Sequence, residues 1–137
     1  MLVEDGLEIL PEDECRRLLA TQRIGRVAFV LGGTPIVLPV NYTVYDNGVV
    51  FRTGAGAKLR AAIEGRLVGF EVDEIDPVYH RGWSVLVVGS ATEVCDAEEL
   101  EVLRNLPVRP WAEGTRDHFV RIQCDVCTGR RIAAGFT

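Results

Sequence analysis

Between Arg52 and Arg60 the chain reads Arg-Thr-Gly-Ala-Gly-Ala-Lys-Leu-Arg, three cations and a hydroxyl gathered around two glycines. Gly54 and Gly56 free the backbone for positive φ and close approach, so a ligand can rest on exposed N–H groups. Arg52, Lys58 and Arg60 supply full positive charge, and the Thr53 hydroxyl supplies a donor at the same spot. Lys58 is the single lysine of the chain. The chemistry this pattern serves is the binding of a phosphate or another small anion. The stretch is neither G-x-x-x-x-G-K-[ST] nor G-x-G-x-x-G, so it carries no standard nucleotide fingerprint. An ordinary strand–loop–helix connection with solvated basic residues has the same composition.

The elements that must position these residues are legible around them. Val49 to Arg52 is a β-branched and aromatic run that reads as a strand, and Lys58 to Glu64 reads as a short helix stopped by Gly65. A helix starting there would add its N-terminal partial charge to the anion site. Upstream, Pro11 to Ala20 reads as a helix with Cys15, Leu18 and Leu19 on one stripe. Ile24–Leu31 and Ile36–Tyr45 read as strands, and Asp46-Asn47-Gly48 as a hairpin turn into the strand at Val49. Pro35 and Pro39 require an edge, a bulge or a break in the second of these strands. Downstream, Leu67–Asp73 and Trp83–Val94 read as strands joined by a turn-rich connection, with a bend at Gly89. Asp96 to Glu99 is a capping box opening a helix through Arg104. Leu106 to Gly114 reads as loop, His118–Gln123 as a last strand, and the chain after Gly129 as a tail that carries Arg130 and Arg131 and then frays in small residues. Six strands with few helices between them predict a mainly β fold, a six-stranded antiparallel β-barrel.

A chain of 137 residues with 47% hydrophobic and 26% charged content is a single globular domain over 1–137. Its ends, 1–9 and 133–137, are expected to be loosely ordered. A net charge of −5 argues against nucleic acid or an anionic membrane as partner, and it makes the local cations stand out. No apolar run approaches the roughly 20 residues that span a bilayer. The opening Met1-Leu2-Val3-Glu4-Asp5 lacks the regions of a signal peptide, so a cytoplasmic location is expected. Of four cysteines, Cys124 and Cys127 form a C-x-x-C pair. No second ligand pair accompanies them, so the expectation is thiols that fill space and no metal site.

Pro39-Val40-Asn41-Tyr42, Phe51-Arg52-Thr53, Lys58-Leu59 and Gly82-Trp83-Ser84-Val85 resemble, in order and spacing, the pyridoxamine 5′-phosphate oxidase-like flavin-binding proteins. The opening helix and the strands Gly25–Phe29 and Phe70–Asp73 are similar to small actinobacterial-type members, and the resemblance runs from Leu10 to Ile132. It implies a split β-barrel holding FMN at a homodimer interface. On this resemblance Arg52, Thr53 and Lys58 hold the cofactor phosphate, and Leu59 belongs to the same cofactor site. The backbone of Val40, Asn41 and Tyr42 lies along the ring, and Trp83 and Ser84 meet the ring edge or ribityl chain. Arg121, Arg130 and Arg131 are candidates to reach across the dimer, although Cys124 stands where a proline is common. Trp111 either lids the pocket or packs on the preceding helix.

The function implied is an FMN-dependent oxidoreductase acting on a small-molecule substrate or electron acceptor. A non-enzymatic flavin-binding or storage protein is the alternative, as is the same barrel holding FAD, a deazaflavin cofactor or haem. Haem would need an axial ligand from His80, His118 or a cysteine. True pyridoxamine phosphate oxidation is not expected. The lone lysine is assigned to the cofactor, and no Tyr-x-x-x-Arg-x-x-x-Ser pattern follows Trp83. Since the cofactor carries the electrons, no general acid or base is required, and His80 and His118 are read as surface or packing residues.

Overall fold

Alternating apolar and polar positions in six segments close into one antiparallel barrel. The computed structural model describes residues 2–4, 6–53, 63–108 and 118–132. Its strands are β1 (Leu2–Glu4), β2 (Leu7–Ile9), β3 (Ile24–Leu31), β4 (Thr34–Tyr45), β5 (Gly48–Thr53), β6 (Leu67–Asp76), β7 (Arg81–Glu93), β8 (His118–Gln123) and β9 (Val126–Ile132). Two helices are described, α1 (Glu12–Leu19) and α2 (Ala97–Arg104). The ring runs β7-β6-β3-β4-β5-β8 and returns to β7. The split is in β7. Its first half, Trp83 to Val88, pairs with β9, and its second half, Ala91 to Glu93, pairs with β8. Gly89 stands at the parting, where the chain crossing from β8 to β9 lies against its backbone.

Every second side chain of the barrel strands points inward. Val27, Phe51, Phe70, Val72, Val85, Val87 and Ile122 are fully buried there. The stripe Cys15, Leu18 and Leu19 of α1 joins this same core. The Tyr42 hydroxyl donates to the Leu19 carbonyl, tying β4 to the end of α1. Burial pushes the Tyr42 phenol up, so it stays a neutral donor. Tyr42→Phe is expected to lower stability by about 1–2 kcal/mol, the cost of a lost buried hydrogen bond, as read by urea denaturation. An unchanged unfolding midpoint would show that the bond contributes nothing. At the start of α1, Arg17 and then Arg131 hold the Glu14 carboxyl down at about 2.

A second, smaller core lies outside the barrel. There α2 covers β5 and β8, burying Val50, Val94, Leu103, Val108 and Phe119. Asp96 caps the helix by accepting from the Glu99 N–H at 2.9 Å. The other half of the expected capping box is spent elsewhere, because Glu99 pairs with Arg121 on β8.

Three expectations need correction. The start of the tail after Gly129 is strand: it continues β9 to Ile132, held between β7 and β2. The start of the chain is a hairpin, β1 on β2, with Leu7, Glu8 and Ile9 paired to Ile132, Arg131 and Arg130. The turn-rich connection after Asp73 is instead a long hairpin. Its strands run on to Asp76 and from Arg81, and Asp76 Oδ1 accepts from the N–H groups of Val78 and Tyr79 at 3.0 and 3.3 Å. Among the described residues the prolines of β4 sit on an edge, as expected, since β5 joins β4 only from Tyr42. Gly65 has φ +71, the left-handed stop foreseen for it, while the helix placed at 58–64 falls almost wholly outside the described residues.

Candidate functional site

The described residues among those singled out for ligand binding do not converge within one chain. Arg52 lies one position past the last β4–β5 ladder pair, Tyr42 with Phe51, which sets it beside Asn41 on the outer wall. Its guanidinium stands 5.4 Å over the ring of Phe119, half-buried. Thr53 ends β5, its backbone in register with His118. Lys58, Leu59 and Arg60 lie outside the described residues, as does Trp111. Val40 and Tyr42 turn their side chains into the core, so they offer a ligand only their backbone. That backbone is suited to the task. Before Tyr42, β4 has no strand neighbour on its β5 side among the described residues, leaving an edge open beside Asn41. Asn41 and Tyr42, with Arg23 and Pro107, line a cavity of about 490 Å³.

Trp83 and Ser84 stand on the other flank. Ser84 faces outward, in register with Asp73 and Arg130. Trp83 faces the opposite way, half-buried against the core and in register with Arg131. It lines an open cleft of about 820 Å³ with Ile75, Gly82, Arg81, Arg131 and Ile132. Across the wall the outward residues at this level run Arg52 on β5, Asn41 on β4, Ile24 on β3, Asp73 on β6 and Ser84 on β7. Four strand spacings separate the two ends, roughly 19 Å along the surface. The wall between them is the convex outside of a closed barrel, so one ligand cannot rest on both ends without bending round it.

Several candidates are occupied by structural work. Arg121 pairs with Glu99 and stacks 5.6 Å from the Tyr45 ring, which makes it a clasp for α2. Arg131 spans Glu8 at 3.7 Å and Glu14 at 3.2 Å, tying β2 and α1 to β9. Arg130 is exposed beside Ser84. His80 sits exposed at the tip of the β6–β7 hairpin with φ 51. His118 Nδ1 lies 2.9 Å from Glu93 Oε2, and Glu64 accepts from the Glu93 N–H at 2.8 Å. This His118–Glu93 pair flanks the end of β5, and its only trace in the sequence is two isolated polar residues in apolar strands.

The thiols form a cluster that the C-x-x-C spacing alone does not disclose. Cys15, Cys124 and Cys127 are all buried where α1 meets the β8–β9 crossing, and Cys95 is exposed. Burial, then the neighbouring Cys124 and Cys15, push the Cys127 thiol up to about 12. Thiols held so far from ionisation are poor nucleophiles and poor ligands. Among the described residues no three His, Cys, Asp or Glu side chains gather in a way that could hold a metal ion, and no helix is long and apolar enough to cross a membrane.

A family model described as pyridoxamine 5′-phosphate oxidase matches residues 11–131. An uncharacterized protein of Mycobacterium tuberculosis is 40% identical over 130 residues, covering 91% of this chain and 85% of its own length. A FAD-binding protein of Mycobacterium smegmatis superposes with a TM-score of 0.75 at 35% identity, covering 90% of this chain and 95% of that one. A FAD-binding protein of Mesorhizobium loti superposes with a TM-score of 0.74 at 26% identity, covering 93% and 99%. Both share the split-barrel architecture.

Proposed function

The chain belongs to the pyridoxamine 5′-phosphate oxidase family, and from that premise we propose that it is a flavin-dependent oxidoreductase whose cofactor site is completed by a second copy of the chain. The observation that carries the reading is the division of the site. A cation beside an open strand edge, Arg52 with Asn41, occupies one flank of the barrel wall, and Ser84 occupies the other, with Trp83 next to it turned into the cleft behind. Each half matches one end of a flavin nucleotide. The phosphate takes the cationic half, with Arg52, Thr53 and Lys58 as its partners, because a doubly charged group is best met by charge-assisted bonds. The ring takes the strand edge and the flank of the partner copy's β7 at Ser84, where the Trp83 backbone lies alongside, a slot with a few directed polar groups.

FMN is the cofactor proposed first, since three phosphate partners and one short cationic loop suit a mononucleotide. FAD is the second reading, favoured by the FAD-binding relatives of M. smegmatis and M. loti. When bound, the flavin supplies the electron chemistry, and the chain's residues bind and orient it. The substrate is a small molecule other than pyridoxamine phosphate, for which the sequence lacks a second phosphate site.

The test is the visible absorption of the purified protein after addition of FMN or FAD and desalting. Oxidised-flavin bands at one flavin per chain are expected, with the better-retained nucleotide naming the cofactor. A protein that keeps neither flavin, or that shows a haem band, overturns the assignment. Oxidation of a reduced nicotinamide by the loaded protein then separates an oxidoreductase from a storage protein.

A further inference from the structure

Among the described arginines, most guanidiniums are spent inside the fold. Arg16, Arg17, Arg26, Arg104, Arg121 and Arg131 each meet a carboxylate. Arg66 donates to the Val30 carbonyl at 3.5 Å, and Arg52 and Arg130 are engaged as well. Arg23 and Arg81 have no such partner. In a chain with 20 acidic against 15 basic side chains, an arginine that finds no acid is a surplus the fold does not require.

Both of these arginines line cavities, in different company. Arg81 shares its cleft with Glu74 and Asp76, whose charges answer its own. Arg23 is the one charged side chain among the described lining of the cavity of about 490 Å³, which it shares with Asn41, Tyr42 and Pro107. Its place there is set by backbone. Arg23 directly precedes β3, and its carbonyl accepts from the Tyr42 N–H at 2.9 Å, extending the ladder past the Ile24–Asn41 pair. Backbone polar groups alternate sides along an antiparallel strand. Those of Tyr42 therefore turn to Arg23, and those of Asn41 turn to the open edge. The Tyr42 hydroxyl is already given to Leu19, so it offers the cavity no second donor.

We propose that this cavity is the substrate pocket and that Arg23 grips the substrate's carboxylate, so that the small molecule on which the chain acts is a planar monocarboxylate. The proposal rests on the flavin reading above, which gives the adjoining strand edge to the ring. A volume of about 490 Å³ suits a small organic molecule. A substrate that exchanges electrons with a flat ring lies against its face, which favours a planar one. The anion's type follows from the charge present. One guanidinium matches one carboxylate through two parallel N–H···O bonds. A phosphate dianion would keep an unmatched charge beside a single cation, at a cost in desolvation. The Pro107 ring adds an apolar wall.

Calorimetric titration of the full chain with 2-naphthoate, with neutral 2-naphthamide as comparator and with and without FMN present, reads this directly. The carboxylate is expected to bind once per chain, about tenfold or more tighter than the amide. Arg23→Gln should abolish that preference while leaving FMN retention and the unfolding midpoint unchanged. Arg81→Gln should leave naphthoate binding as it was. Three results overturn the proposal: no preference for the carboxylate, a preference that survives Arg23→Gln, or one lost in Arg81→Gln. An equal loss of FMN in Arg23→Gln also overturns it, since Arg23 would then serve the cofactor. A chain that binds naphthoate through Arg23 but retains no flavin removes the functional reading and leaves the carboxylate site standing. A chain that retains flavin but shows no Arg23-dependent binding removes this proposal alone.

Discussion

Replacing Gly89 with alanine is expected to cost about 3 kcal/mol or more, placing it among the most damaging single changes available to this chain. A Cβ at Gly89 would lie 1.6 Å from the carbonyl oxygen of Gln123 and 2.7 Å from its carbon. Both are backbone atoms of the segment that leaves β8 for β9, so no side-chain rotation relieves the clash. Either β7 or the crossing segment must move, and β7 is held on its other side by a continuous ladder to β6. Gly69 provides the comparison. It is one ladder pair away, since Val68 pairs with Gly89 and Gly69 with Val88, and strand propensity alone would treat the two glycines alike. A Cβ at Gly69 would meet the Leu86 Cδ1 methyl at 3.6 Å, an ordinary contact. Chemical denaturation should therefore show Gly89→Ala losing at least about 2 kcal/mol more than Gly69→Ala. Equal losses would mean that the barrel is not split at Gly89.

The same residue shows how far the sequence carries. A bend at Gly89 is readable from a glycine inside a long β-branched run, but not what passes beside it, because that depends on β9. Residues 126–132 contain little apolar alternation, and two of their inward positions, Cys127 and Gly129, carry no strong hydropathy signal. No strand is therefore read there, and the chain after Gly129 reads as a tail. Glu74, Asp76 and Pro77 are poor strand residues and read as a connection, although Ile75 to Gly82 and Asp76 to Arg81 still pair across the hairpin. By contrast, Ile24–Leu31 and His118–Gln123 are compact β-branched and aromatic runs, and both strands have the bounds read from the sequence. Asp96 was legible as a cap because capping is local. That Glu99 abandons the capping box for Arg121 was not, since the competing partner is 22 residues away. The candidate site follows the same rule. Its residue types are local and visible. Its division between two flanks is set by the strand order, with β3 inserted between β4 and β6, which no single segment encodes.

That division makes the strongest functional test one of complementation. Arg52→Ala and Lys58→Ala should each weaken FMN binding by about 1.5–3 kcal/mol, the value of a hydrogen bond to a charged group, or roughly ten- to hundredfold in Kd. Ser84→Leu should do comparable damage from the other flank by filling the slot meant for the ring. Each homodimer is then defective at both of its sites. In a heterodimer of Arg52→Ala with Ser84→Leu chains, one site collects both lesions. The other joins an intact Arg52 to an intact Ser84, because a two-fold axis pairs opposite flanks. Co-expressed with two affinity tags and purified through both, that heterodimer should retain about one FMN per dimer with near-native affinity. A site built within one chain would predict none, since every chain carries a lesion. Zero retention by a heterodimer that forms normally would place Arg52 and Ser84 in the same pocket, and it would require the barrel wall between them to fold differently from the register described here.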